Sequence, residues 1–142
     1  MVQHSISGFL LGRLNKISPR TSILIVDDKP ELAMSLHDIL VSLGHEAETA
    51  NDGSKAIELV EARPFDILLI DIRMPGINGI DAFREIKLRQ PTIEVIMMTA
   101  FTIDEVVSDA LENGAYGILF KPFDVRKLLE LVTKIEAKKA ST

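Results

Sequence analysis

No cysteine occurs among the 142 residues, which excludes disulfide scaffolds, thiolate metal sites and cysteine nucleophiles. Histidine is scarce: His4, His37 and His45 are scattered and leave no donor set for zinc. Positive charge is short as well. Sixteen Lys and Arg stand against 21 Asp and Glu, a formal net charge of −5. A broadly basic surface is thereby excluded, and duplex DNA is not an expected partner of this chain. No apolar run approaches the roughly 20 residues that span a bilayer, so no membrane anchor is expected. No G-x-x-x-x-G-K-[S/T] phosphate loop occurs either.

What remains is 46% hydrophobic and 26% charged, the composition of one globular domain. Residues 1–20 read as an N-terminal extension, either loosely ordered or a short helix. In the helical reading Ile6, Phe9, Leu10, Leu14 and Ile17 share one face that docks on a partner or a second copy. The chain is expected to be soluble and cytoplasmic. A globular domain is expected over 21–138, with a short tail at 139–142.

From Thr21 onward, short apolar runs alternate with amphipathic stretches. The runs are Ile23–Val26, Ile67–Ile70, Val95–Met98 and Ile118–Phe120. They are unbroken, rich in β-branched residues, and stop at polar ones. Strands covered on both faces read this way, as in a parallel sheet. Glu46 to Ala50 alternates more and reads as an edge strand. Helical stripes lie between: Leu32, Leu36, Ile39, Leu40 and Leu43, ended by Gly44; then Ala56, Ile57 and Val60, closed by Pro64. A third is Ile80, Phe83 and Ile86, closed near Pro91; a fourth is Val106, Val107, Ala110 and Leu111, stopped by Gly114. Val125, Leu128, Leu129, Val132 and Ile135 make the last. Five strands alternating with five helices, joined by right-handed crossovers, put helices on both faces of one sheet. Five strands are too few for a closed (β/α)8 barrel. The expected fold class is α/β: a flavodoxin-like, doubly wound (βα)5 three-layer sandwich with parallel order 2-1-3-4-5. Such sheets bind ligands beyond the C-terminal ends of their strands.

At those ends stand Asp27-Asp28, Asp71, Thr99-Ala100 and Lys121-Pro122. Three carboxylates within a few ångströms repel one another, which raises their pKa values and costs stability. A hard divalent cation resolves the conflict, and carboxylate oxygens suit Mg2+ (or Mn2+). Lys121 adds a cation on a long stem, and Thr99 adds a hydroxyl donor. Taken singly, each residue fits a bland role: Asp27-Asp28 a turn and helix cap, Asp71 a turn acid, Thr99 a strand-end cap, Lys121 a solvated lysine. Their joint placement on four strand ends points to one acidic metal pocket.

Over about Thr21 to Lys138 the sequence resembles the receiver domain of two-component response regulators. The resemblance is carried by Ile-Leu-Ile-Val-Asp-Asp (23–28), Leu-Leu-Ile-Asp-Ile-Arg-Met-Pro-Gly (68–76) with Gly79, Met-Thr-Ala (98–100) and Lys-Pro-Phe (121–123). The wording around Thr99 and Lys121 looks most like the nitrogen-regulation class and small phosphorelay receivers.

The resemblance implies that Asp71 accepts a phosphoryl group from a phosphohistidine on a sensor histidine kinase or histidine phosphotransfer protein. It implies Mg2+ held by Asp27, Asp28, Asp71 and the backbone carbonyl of Arg73, with Lys121 and Thr99 on phosphoryl oxygens and a cis peptide before Pro122. It further implies a conformational switch through Thr99 toward a downstream protein or output domain, and a phosphorylation-dependent dimer as one outcome. The family's aromatic switch position holds Ile118 here; Tyr116, two residues earlier, is read as a core or exposed tyrosine unrelated to switching, or, if it shares the strand face of Ile118, as a partial substitute. Arg73 and Phe101 are poorly suited to orient a hydrolytic water, which predicts a long-lived acyl phosphate.

Rival readings fare worse. A haloacid-dehalogenase-type phosphatase wants Asp-x-Asp after the first strand, where this chain has Asp27-Asp28-Lys29. A flavin carrier needs a Ser/Thr-rich loop there, and two carboxylates would repel the flavin phosphate. A phosphate-independent docking module on the same fold is the remaining alternative.

Overall fold

The computed structural model describes residues 21–100 and 104–141, so the N-terminal extension and Phe101 lie outside the described residues. Ten elements follow in order: β1 (Ser22–Val26), α1 (Pro30–Ser42), β2 (Glu46–Ala50), α2 (Gly53–Ala62) and β3 (Ile67–Asp71). Then come α3 (Gly79–Arg89), β4 (Glu94–Thr99), α4 (Asp104–Glu112), β5 (Gly117–Phe120) and α5 (Val125–Ala140). The five strands pair in parallel in the order β2-β1-β3-β4-β5, as the strand pattern predicts.

The unbroken apolar runs divide between two cores by the period-2 rule of the strand. Leu24, Val26, Leu68, Ile70, Val95 and Met97 face Ala56 and Val60 of α2, Phe83 and Ile86 of α3, and Ala110 of α4. Ile23, Ile25, Ile67, Leu69, Ile96 and Met98 face Leu36 and Leu40 of α1 and Leu128, Val132 and Ile135 of α5. Every residue of β3 and β4 is buried, and each large side chain contributes about 1.5–3 kcal/mol. β2, at the edge, keeps most of its residues partly exposed.

Local signals set the helix ends. Pro30 opens α1, and the side chains of Asp52, Asn78 and Asp124 accept backbone N–H groups at the starts of α2, α3 and α5. Gly44 and Gly114 leave α1 and α4 with φ of 95° and 96°, a conformation that favours glycine. Three details differ from the sequence pattern. Leu43 and Leu111, counted in apolar stripes, are 54% and 50% exposed. Leu43 sits beyond the last turn of α1, and α4 meets the sheet through Ala110. α5 continues through Ala140, two residues into the expected tail, where Lys139 donates to the Thr92 carbonyl and Lys138 pairs with Glu94.

The register aligns the strand ends that matter. Val26, Ile70, Met97 and Ile118 lie in one row across the sheet, so Asp27 and Asp71 emerge side by side one residue later. Behind Asp71, α3 starts so close that only glycine fits. A Cβ on Gly79 would lie 2.1 Å from the Asp71 carbonyl oxygen and 2.6 Å from the Ile72 Cα. Both neighbours are backbone, so relief requires moving the β3–α3 connection itself. Gly79→Ala is therefore expected to destabilise the domain by about 2–3 kcal/mol, read as a lower urea midpoint at unchanged m-value. A midpoint equal to wild type would contradict this packing.

Candidate functional site

Asp27 and Asp71 are almost fully buried, at 0% and 4% exposure, and Thr99 is equally enclosed. Asp28 is half-buried beside them. One carboxylate oxygen from each of Asp27, Asp28 and Asp71 lies within 4.8 Å of the other two. Asp71 stands far from Asp27-Asp28 in sequence, and the parallel register of β1 and β3 brings it beside them.

The cluster is organised by Lys121. Its ammonium donates to Asp27 Oδ2 and to Asp71 Oδ2, both at 2.7 Å. The other oxygens of these two acids accept local backbone donors: Asp27 Oδ1 from the Lys29 N–H and Asp71 Oδ1 from the Arg73 N–H, each at 2.9 Å. An aspartate bonding the N–H two residues ahead is a common turn device, and here it aims both carboxylates inward. Lys121 reaches them because its own N–H donates to the Thr99 carbonyl at 2.7 Å and the Lys121–Pro122 bond is cis. Burial acts to lower the pKa of the Lys121 ammonium, but the hydrogen bonds and charges of Asp27 and Asp71 outweigh it and hold it above the ordinary lysine value. A raised lysine pKa adds stability that is complete below the unfolded value and is lost as pH rises through the folded one. The pairing therefore persists throughout the neutral range.

One cation does not balance three carboxylates. Asp28 Oδ1 is buried and has no hydrogen-bond partner, which is costly for a charged oxygen. An unpaired buried oxygen in a cluster of three hard donors fits a divalent cation of the Mg2+ class.

The remaining candidates separate. Thr99 ends β4 beside this cluster. The Arg73 side chain is exposed and lines a cleft of about 640 Å3 with Ile72, Met74, Ile80 and Arg84 among its walls. Ile118 pairs with Met97 and packs into the core shared by α2, α3 and α4. Tyr116 does not share that face. It precedes β5, so strand alternation does not apply to it, and it packs on the α5 side with the Lys138 ammonium 5.6 Å from its ring. The expected shared face is thus corrected: Tyr116 is a wall of the other core, on the opposite side of the sheet from Ile118. The bridging position of Lys121 and the turn donors at Lys29 and Arg73 escaped the sequence reading. Their signal, a residue two places after each acid, is too common to stand out.

Residues 23–133 match the response regulator receiver domain family. The chain is 36% identical over 114 residues to the chemotaxis protein CheY of Thermotoga maritima, covering 80% of this chain and 95% of that protein. It is 38% identical over 109 residues to the transcriptional regulatory protein ZraR of Klebsiella oxytoca, covering 77% of this chain. The match spans about a quarter of ZraR's length, 25%. Among solved structures, the response regulator TrrA of Thermotoga maritima in complex with Mg2+ and BeF superposes with a TM-score of 0.71. It is 30% identical, with 80% of this chain and 96% of that one covered. Fold, strand-end residues and relatives agree, and the chain belongs to the response regulator receiver domain family of two-component signalling.

Proposed function

We propose that Asp71 is the phosphoacceptor of this receiver, and that Asp27, Asp28, Asp71 and the Arg73 carbonyl hold Mg2+ or Mn2+. The observation that carries the reading is the Lys121 ammonium spanning Asp27 and Asp71 beside the unpartnered Asp28 oxygen. A signalling domain with this pocket takes its phosphoryl group from a phosphohistidine on a sensor kinase or a histidine phosphotransfer protein. The receiver unit runs from about 21 to 138 and works in the cytoplasm. Among the described residues, no helix is long and apolar enough to cross a membrane.

The chemistry follows from the side chains. An Asp71 oxygen attacks phosphorus in line, the P–N bond of the donor breaks, and the imidazole departs. A carboxylate is a weak nucleophile, but this transfer depends mainly on positioning and on neutralising spread charge. When bound, Mg2+ supplies much of that positive charge and offsets the three acids. Lys121 releases Asp71 and takes one phosphoryl oxygen, and the Thr99 hydroxyl donates to another. About two new negative charges then draw Thr99 inward, and the segment leading to α4 follows, with Ile118 repacking beneath it. This change passes to an output domain or a separate protein, and a phosphorylation-dependent dimer is one form it takes. The subclass reading, near the nitrogen-regulation class, rests on the residues around Thr99 and Lys121.

Acetyl phosphate with Mg2+ is expected to add one phosphoryl mass to wild type, and none to Asp71→Asn or to wild type in EDTA, by intact mass. Absence of the adduct on wild type would leave the docking-module reading. Lys121→Ala strands two buried acids, so it should lose about 3 kcal/mol in EDTA, with a large part restored by millimolar Mg2+. Equal losses with and without Mg2+ would contradict a shared cation site. Arg73→Asn and Phe101→Glu should each shorten the acyl-phosphate lifetime several-fold, as recorded in a dephosphorylation time course. Unchanged decay would overturn the assigned tuning role.

A further inference from the structure

We propose that Arg84 is a polar bracket that holds α4 against α3 and sets how readily α4 shifts on phosphorylation. The inference rests on Asp71 as phosphoacceptor, because α4 begins five residues after Thr99.

Apolar packing grips α4 weakly. Among its described side chains, 107–112, only Ala110 is buried, Val107 is partly covered, and Leu111 is 50% exposed. By contrast α5 buries Leu128, Val132 and Ile135, and α3 buries Ala82, Phe83 and Ile86. A stretch with as little buried apolar area as residues 107–112 belongs to the low-stability end of a fold.

Arg84 supplies the lateral hold. From α3 its Nε donates to Asn113 Oδ1 at 3.0 Å, and its Nη2 lies 3.5 Å from Asp109 Oδ1. A third donor, Nη1, meets Asp81 Oδ1 on its own helix at 3.2 Å. The two acceptors across the gap are tied to each other, since the Asn113 amide donates to both the carbonyl and the carboxylate of Asp109. Asp81 is in turn steadied by Asn78, the residue that caps α3. A continuous polar chain thus runs from the β3–α3 loop to the end of α4. The planar guanidinium fork suits it, because Nε, Nη1 and Nη2 each face a different acceptor, whereas the three donors of an ammonium share one nitrogen.

The bracket is weak by construction. Arg84, Asp81 and Asp109 have side chains 48%, 57% and 44% exposed, and such pairs shift an equilibrium by a factor of about 1.4 to 5. That range suits a switch, which must be biased rather than locked. The α4 contacts can part while Arg84 keeps Asp81, so α3 stays seated behind Asp71.

Amide hydrogen exchange on the full chain without phosphodonor tests this directly. Arg84→Ala should speed exchange of residues 107–112 about threefold, leave α5 unchanged, and raise the rate of phosphorylation by acetyl phosphate to a similar degree. Arg84→Lys should recover only part of the wild-type protection. Added salt should bring wild type toward the Arg84→Ala rate and leave that variant unmoved, a response that a purely steric role would not give. Equal α4 exchange in wild type and Arg84→Ala, or equal salt responses, would overturn the bracket. Faster exchange with an unchanged phosphorylation rate would overturn its coupling to the site. If wild type takes no phosphoryl group, the phosphoacceptor reading fails instead, and the exchange comparison still decides the bracket.

Discussion

The domain is organised around an electrostatic conflict: Asp27, Asp28 and Asp71 meet at one sheet edge, and one lysine stands between them. Carboxylates this close repel one another, so their coexistence needs compensating charge. Lys121 offsets part of the conflict by bonding Asp27 and Asp71 together, and turn amides at Lys29 and Arg73 take one more oxygen of each. Asp28 keeps an unpartnered oxygen. A pocket left incompletely neutralised is one that attracts a cation and then an anionic phosphoryl group.

The rest of the fold holds this conflict in place. Two apolar cores sandwich the sheet, and the fully buried β3 and β4 permit no slip of register. A one-residue slip would move Asp71 into a core and carry Ile72 to the site. Gly79 adds a backbone constraint from behind, since α3 starts in contact with the carbonyl of Asp71. Rigidity is concentrated beneath the acids. Among the described side chains of α4, 107–112, Ala110 is the buried one, so apolar packing is much lighter there than beneath the acids.

Most of this was legible in the sequence because strands buried on both faces leave an unmistakable mark. Four unbroken β-branched runs, each ending in Asp, Thr or Lys, prescribe both the parallel sheet and the contents of its C-terminal edge. Order, strand ends and the acid cluster followed from that. What escaped depends on packing between elements rather than along them. Leu111 matched a helical stripe yet faces solvent, because the small Ala110 is what meets the sheet. Tyr116 lies one residue before β5, so the period-2 rule that would pair it with Ile118 does not reach it. Lys121 was read as a partner for phosphate, and its hold on two acids appears only once β1, β3 and β5 are side by side. The Arg84 contacts join residues on different helices at spacings that no sequence periodicity encodes.

The central claim is that this pocket makes Asp71, and no other acid, a phosphoryl acceptor. Borohydride reduction converts an aspartyl phosphate to homoserine, so treatment after acetyl phosphate and Mg2+, followed by peptide mapping, reads the acceptor directly. Homoserine is expected at position 71 alone, and not when Mg2+ is chelated. Homoserine at position 27 or 28, or none at position 71, would contradict it.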